Sequence, residues 1–159
     1  MIAEVSVLQA LAAFGRLDGS FIERLEKMGE DLNRDPWASD VILGMLLAKL
    51  TDEKIVLSQE EASRIYKVLS KPWLGYRSET LRQWVAMWIA GRVGFEETAR
   101  YFAAMEPNVW WREAVLEKRM HAYTATGHPL ERRAIKDLER FRYLKDRAGI
   151  AVWDVWGIR

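Results

Sequence analysis

A group of cationic side chains on one side of a predicted helix is the strongest candidate for binding chemistry. At about 100° per residue, residues 129–147 place five basic residues and one tyrosine within about 100° of the helix circumference. Guanidinium groups suit phosphate contact and an aromatic ring suits base stacking. The six residues, called the basic face below, are Arg132, Arg133, Lys136, Arg140, Tyr143 and Arg147.

The same charges also fit an ordinary solvated helix surface. Asp137 stands four residues after Arg133 and three before Arg140, and ion pairs at these spacings stabilise exposed helices. Runs of charge are commonly of this kind. The sequence therefore leaves two interpretations of the basic face, partner binding and simple solvation.

Tryptophan offers a second kind of binding residue, since the chain contains eight of them. Tryptophan and arginine are enriched where interfaces derive most of their binding energy. Trp110 is predicted to point away from the apolar face of its helix, which makes it either a packing residue or a contact anchor. Trp153 and Trp156 lie in an apolar tail, 150–159, that is predicted to cover the last hairpin or to insert into a partner.

The residues that could carry catalysis are few. Glu117 and His121 have the i, i+4 spacing of a metal-binding pair, but a site needs a third ligand and none is arranged nearby. Adjacent acids at 52–53, 60–61 and 96–97 fall at predicted helix starts, where the helix dipole favours negative charge. The sequence has no phosphate-binding glycine loop, hydrolase triad motif or dinucleotide fingerprint. It predicts a protein that is not an enzyme, with no catalytic, cofactor-binding or metal-binding residues.

Composition and charge further restrict the class of protein to which this chain can belong. The 159-residue chain has no cysteine, which excludes disulfides and sulfur-based metal sites and fits a reducing compartment. Residues 1–63 carry 6 Lys and Arg against 12 Asp and Glu, whereas residues 64–159 carry 18 against 11. No apolar run reaches the roughly 18 residues that span a bilayer. We expect an intracellular protein, of the cytoplasm or an organelle interior, with oppositely charged ends and no membrane partner.

Helical periodicity dominates the chain, and it predicts four helical hairpins. Ser58 and Glu61 form a capping-box pattern at one predicted helix start. His128 is predicted to be a turn residue that caps the last helix. The predicted helix pairs cover about 5–14 and 21–32, 37–50 and 58–71, 77–92 and 95–106, and 108–125 and 129–147.

A proline–tryptophan step recurs at nearly constant spacing. Trp37 is followed 36 residues later by Trp73, and Trp110 stands 37 residues after Trp73. Periods of roughly 20–50 residues are typical of stacked helical repeats, in which one hairpin is too small to complete its own core. The sequence therefore predicts an all-α solenoid of about four hairpins over 1–149, followed by the tail 150–159.

This period and the Ala/Leu-rich segment from Val7 to Gly15 resemble the tricopeptide class of helical repeats. The period is closer to the pentatricopeptide, octotricopeptide and FAST-type organellar repeats than to tetratricopeptide repeats. Gly94 and Ala99 have the tetratricopeptide spacing, but Ala103 stands where that pattern has an aromatic. The resemblance covers most of 1–147 and implies RNA binding by the pentatricopeptide-like families, with no base-reading residue assigned.

Taken together, these features predict a non-catalytic helical-repeat scaffold for protein–protein interaction, as a subunit of a larger assembly. The alternative is an RNA-binding repeat protein that uses the basic face of its last helix. Neither function requires a cofactor.

Overall fold

The computed structural model describes residues 20–28, 36–50, 57–71 and 76–148. Within these ranges the chain forms seven α-helices and no strand, which confirms the predicted all-α class. The helices are α1 Ser20–Met28, α2 Pro36–Leu50, α3 Gln59–Leu69, α4 Tyr76–Val93, α5 Phe95–Met105, α6 Glu113–Thr126 and α7 Glu131–Ala148.

Local sequence signals account for several helix ends. Pro36 is the first residue of α2, where a missing backbone N–H costs nothing. The predicted capping box at α3 is confirmed, because the Ser58 hydroxyl accepts from the Glu61 backbone N–H and the Glu61 carboxylate accepts from the Ser58 backbone N–H. Gly127 ends α6 in the left-handed conformation with φ 61°.

The predicted start of α6 is wrong by five residues. We expected the helix to begin at 108, but α6 begins at Glu113, and Arg112 before it has an extended backbone. Val109, Trp110 and Trp111 have low helix propensity, and Val109 packs against the core from outside the helix. Tertiary packing therefore keeps this segment out of the helix.

The chain divides into two compact units, Met1–Gly94 and Phe95–Arg159. In the first unit α1 packs against α3, α2 against α4, and α3 against α4. Their buried residues include Leu25, Ile42, Ile65 and Ile89. Corresponding helices of successive predicted pairs are thus in contact in this unit.

In the second unit α6 packs against both α5 and α7. The apolar side chains of α6 cover a wide part of its circumference, as a helix between two neighbours requires. Leu116 of α6 forms a buried cluster with Leu138 and Phe141 of α7, and Val109 and Met120 pack against it. α7 is held to the unit by this apolar side.

Some predictions fall outside the described residues. These are the first predicted helix, Trp73, the proposed boundary at 149/150, and the tail with Trp153 and Trp156. No described helix is long and apolar enough to cross a membrane. The solenoid arrangement remains a prediction.

Among the described residues, each unit buries one arginine, and these two arginines are 37 residues apart. Arg82 of α4 donates to the backbone carbonyl of Leu69 at the end of α3. Arg119 of α6 pairs with Glu106, directly after α5. Both arginines therefore contact a position 13 residues earlier, at the end of the preceding helix. α3 and α5 also have the same length of 11 residues.

Candidate binding surface

The basic face belongs to a helix whose opposite side is firmly packed. Ala134, Leu138 and Phe141 are buried, and they lie at the 3–4 spacing of one helical side. Trp111 contacts this side with its ring centroid 6.2 Å from that of Phe141. The packing fixes which side of α7 faces solvent.

Arg119 joins three segments beneath this surface, and only 1% of its side chain is exposed. Its Nη2 atom lies 2.5 Å from Glu106 Oε1, and its Nη1 atom donates to Asp137 Oδ2 at 2.7 Å. Burial alone would lower the pKa of Arg119, but the hydrogen bond that it donates to Asp137 and the charge of Glu106 raise it above its ordinary value. Arg119 therefore stays charged, and it ties α6 to α7 and to the end of α5.

Tyr123 and His128 extend this buried network towards the turn before α7. The Tyr123 hydroxyl donates to Glu106 Oε1 at 3.3 Å, and its ring stacks on His128 with centroids 4.0 Å apart. Burial and the charge of Glu106 raise the pKa of Tyr123 to about 12. His128 Nδ1 accepts from the Leu130 backbone N–H at 3.2 Å, which places His128 in the turn before α7 as predicted, while this hydrogen bond lies outside the helix that begins at Glu131.

A second side of α7 is occupied by ion pairs with α6. Glu113 accepts from Lys145 at 2.7 Å and from Arg142 at 3.1 Å, and these two cations hold the pKa of Glu113 below its ordinary value. Arg142 also pairs with Glu117. Two of the seven cations of α7 are therefore committed to the fold.

The basic face itself is exposed at every position. Its members fall into two groups by their partners. Arg133 lies 3.9 Å from Asp137, and Arg147 donates to the Tyr143 hydroxyl at 2.6 Å with its guanidinium 5.5 Å from the ring centroid. The remaining three are Arg132, Lys136 and Arg140, called the basic row below.

The basic row makes no hydrogen bond or ion pair within the part of the chain that the structure describes. Its members follow one another at i, i+4 and i+8, which is about 6 Å per step along the helix axis. The predicted pair between Asp137 and Arg140 does not form, because the nearer partner of Asp137 is the buried Arg119. Solvation by i, i+4 pairing therefore accounts for Arg133 but not for the basic row.

The borders of the basic row differ in chemistry. The exposed acids Glu139 and Asp146 lie on one side of it, about 20–40° around the helix from Arg132. On the other side lies Leu144, 48% exposed, while Tyr143, 56% exposed, lies within the cationic arc. The outer surface of α7 thus presents acidic, basic and apolar strips side by side.

The tryptophans are less clearly grouped with this surface. Trp110 is partly buried, and Trp111, 39% exposed, lies beside Phe141. Both precede α6, so the expected division of the pair between two sides of one helix does not apply. Trp153 and Trp156 belong to the tail outside the described residues.

The Glu117–His121 pair is not assembled into a larger ligand set. Glu117 is engaged by Arg142, and no group of three or more possible metal ligands occurs in the described ranges. The acidic pair at 60–61 lies in the first turn of α3 and that at 96–97 in the first turn of α5, as expected for helix-dipole stabilisation.

Sequence reasoning did not find the structural roles of Arg119, Arg142 and Lys145. A usable signal existed for the first, because Arg119 stands four residues from both Val115 and Tyr123 on the apolar side of α6. Asp137, at the core edge of α7, supplied the matching charge. For Arg142 and Lys145, the pairing depends on the α6–α7 packing, which the sequence pattern alone does not specify.

Searches against protein-family models, curated proteins and solved structures found no match to this chain. The case for function therefore rests on the residues and their geometry.

Proposed function

We propose that this protein is a non-catalytic helical-repeat scaffold that binds protein partners within a larger assembly. The observation that carries the proposal is the repeated arginine contact. Arg82 and Arg119, 37 residues apart, both secure a helix to the end of the one before it. A contact repeated at the period of the tryptophans supports an array of equivalent helix pairs, arranged as a solenoid.

A repeat array of this kind holds its outer side chains in fixed positions. In the second unit, the packed side of α7 and the Arg119 network restrain the helix. The backbone that carries its exposed face therefore needs no further ordering when a partner binds. Preorganised surfaces bind more tightly because less conformational freedom is lost. Arginine, tyrosine and leucine on that face supply the side chains from which an interface can be built.

The test is to purify complexes of the tagged full-length chain from its source, with and without nuclease, and to reconstitute any captured protein with the purified chain. A scaffold function predicts a stoichiometric complex that survives nuclease and can be measured by light scattering after size-exclusion chromatography. If no purified protein forms such a complex, the scaffold proposal is wrong.

RNA binding is the second candidate, and the unpaired basic row is the observation that favours it. Arg132, Lys136 and Arg140 are exposed cations that no described carboxylate neutralises. Contact with three phosphates of a single strand predicts a slope of log affinity against log salt of about −2. Measured by anisotropy with an oligouridylate, this slope should fall towards zero in the triple glutamine variant of the basic row. An unchanged slope would exclude this mode of binding.

A further inference from the structure

We infer that the exposed surface of α7 docks lengthwise against a partner helix that carries an acidic row flanked by basic residues. This inference rests on the proposed scaffold function and names the chemistry of its partner. It begins from the basic row, Arg132, Lys136 and Arg140, whose spacing of about 6 Å per step equals that of glutamates placed four residues apart on another helix. A partner helix can therefore match all three charges in register.

The borders of the basic row favour a helix over a nucleic-acid strand. Glu139 and Asp146 are exposed and lie beside the row, where they repel a polyanion. The same two carboxylates attract a lysine or arginine row next to the acidic row of a partner helix. Non-specific binding of single strands commonly uses a positively charged groove, whereas the row follows one side of a helix whose next residues are acidic.

The apolar border completes the surface. Leu144 and Tyr143 are about half exposed, and they lie beside the C-terminal end of the basic row. The Tyr143 ring is held in place by Arg147, which donates to its hydroxyl. An apolar side chain of the partner can cover Leu144 at this border, while the paired charge rows fix the direction and register of the partner helix.

The test uses two helical peptides of identical composition with a fluorescent label. In the first, three glutamates lie at i, i+4 and i+8, lysines lie on the adjoining strip, and leucine lies on the opposite border. In the second, the same residues are distributed around the helix. The patterned peptide should bind the full-length protein about tenfold more tightly, the effect expected of three exposed ion pairs.

Three variants of the protein make the assignment specific. R132Q/K136Q/R140Q should lose the tenfold preference, whereas K67Q/K71Q/R92Q, which removes three exposed cations of the other unit, should keep it. E139Q/D146Q should bind the patterned peptide more weakly and an oligouridylate more tightly. Helical circular dichroism and the urea midpoint of each variant verify folding.

The inference is overturned if both peptides bind equally, or if the oligouridylate binds more tightly than the patterned peptide and E139Q/D146Q changes neither. Its failure can be separated from that of the scaffold function. A reconstituted protein complex that R132Q/K136Q/R140Q leaves unchanged would retain the scaffold and exclude α7 as its docking surface.

Discussion

In the part of the chain that the structure describes, each unit buries one arginine, and the two arginines are paired in different ways. Arg82 donates through Nε and Nη2 to Glu79 on its own helix, at 2.6 and 2.5 Å, and through Nη1 to the Leu69 carbonyl. Arg119 lies between two carboxylates from two other segments, Glu106 and Asp137. One arginine is therefore held locally and caps a helix, whereas the other connects three parts of the chain.

This difference affects what each arginine contributes. In the first unit all three guanidinium nitrogens of Arg82 donate hydrogen bonds to a local carboxylate or a backbone carbonyl. In the second, Arg119 Nε and Nη2 and Glu106 Oε2 are buried without a hydrogen-bond partner among the described residues, so Arg119 and Glu106 are joined as an ion pair. Removing Arg119 would leave Glu106, whose side chain is 12% exposed, without its cation, and charge that is nearly buried without a partner is costly. The two buried arginines, 37 residues apart, should thus contribute unequally to stability.

The largest expected effect comes from Arg119→Met, which keeps an apolar side chain of similar length. We expect the free energy of unfolding to fall by about 3–5 kcal/mol, because Glu106 and Asp137 lose their shared cation. Urea unfolding of the full chain, followed by helical circular dichroism, measures the change. The accompanying triple variant E106Q/R119M/D137N should recover part of the loss, and if it is no more stable than R119M, the charge argument is wrong.

Arg82→Met should cost less, about 2 kcal/mol, in the same measurement. Its carboxylate partner Glu79 is 23% exposed and on the same helix, so water can replace the arginine. If R82M is as destabilising as R119M, the expected difference in stability between the two buried arginines is wrong. Glu79→Gln, which keeps a hydrogen-bond acceptor, is the matched control and should retain more stability than R82M.

Tyr123 gives the second unit an alkaline sensitivity. The pKa of Tyr123 is raised to about 12, so between pH 10 and 12 the unfolded chain releases the phenolic proton while the folded chain retains it. The free energy of unfolding should then fall with rising pH by at most about 1.4 kcal/mol per pH unit from this group. Tyr123→Phe should lack this part of the slope. Parallel curves for the two proteins between pH 10 and 12 would contradict the assignment.

In the first unit, Ser58→Ala tests a purely local contact. Loss of the capping box should lower the free energy of unfolding by about 1 kcal/mol, since the Glu61 backbone N–H loses its acceptor. Ser58→Asp, which retains an acceptor at the helix start, should lose less. If S58A is neutral in urea unfolding, α3 does not depend on its cap.

The smallest effect on stability is expected for R132Q/K136Q/R140Q. These side chains are exposed and have no described partner, so the free energy of unfolding should change by less than about 0.5 kcal/mol. Binding, in contrast, should change. A marked loss of stability would assign the basic row to the fold instead of to a partner.

The sequence predicted the local features of this fold better than its contacts. Apolar spacing and capping residues are local, so α2, α4 and α5 begin and end within one residue of their predicted bounds, and the Ser58 box forms as expected. The start of α6 was missed because packing of Val109 outweighs its position in the pattern. All-α content followed from periodicity, while the pairing of helices depends on contacts between distant residues.

The basic face illustrates the same limit. Helical geometry predicted correctly that its six residues share an exposed side of α7. It could not predict that Asp137 would pair with Arg119 and leave Arg140 without a partner among the described residues, because that choice depends on the α6–α7 packing. Only the structure distinguishes the cationic side chains of α7 that pair within the fold from those of the basic row.

The contact between Arg119 and Glu106 also limits where residues can be inserted into the chain. A single residue inserted between Glu113 and Arg119 would rotate the arginine by about 100° around α6. Its guanidinium would leave Glu106 and Asp137, and a different side chain would enter the buried position. Insertions should consequently be tolerated far better in the segment between α5 and α6 than within the first turns of α6, because the spacing from Glu113 to Arg119 sets which side chain enters the buried position.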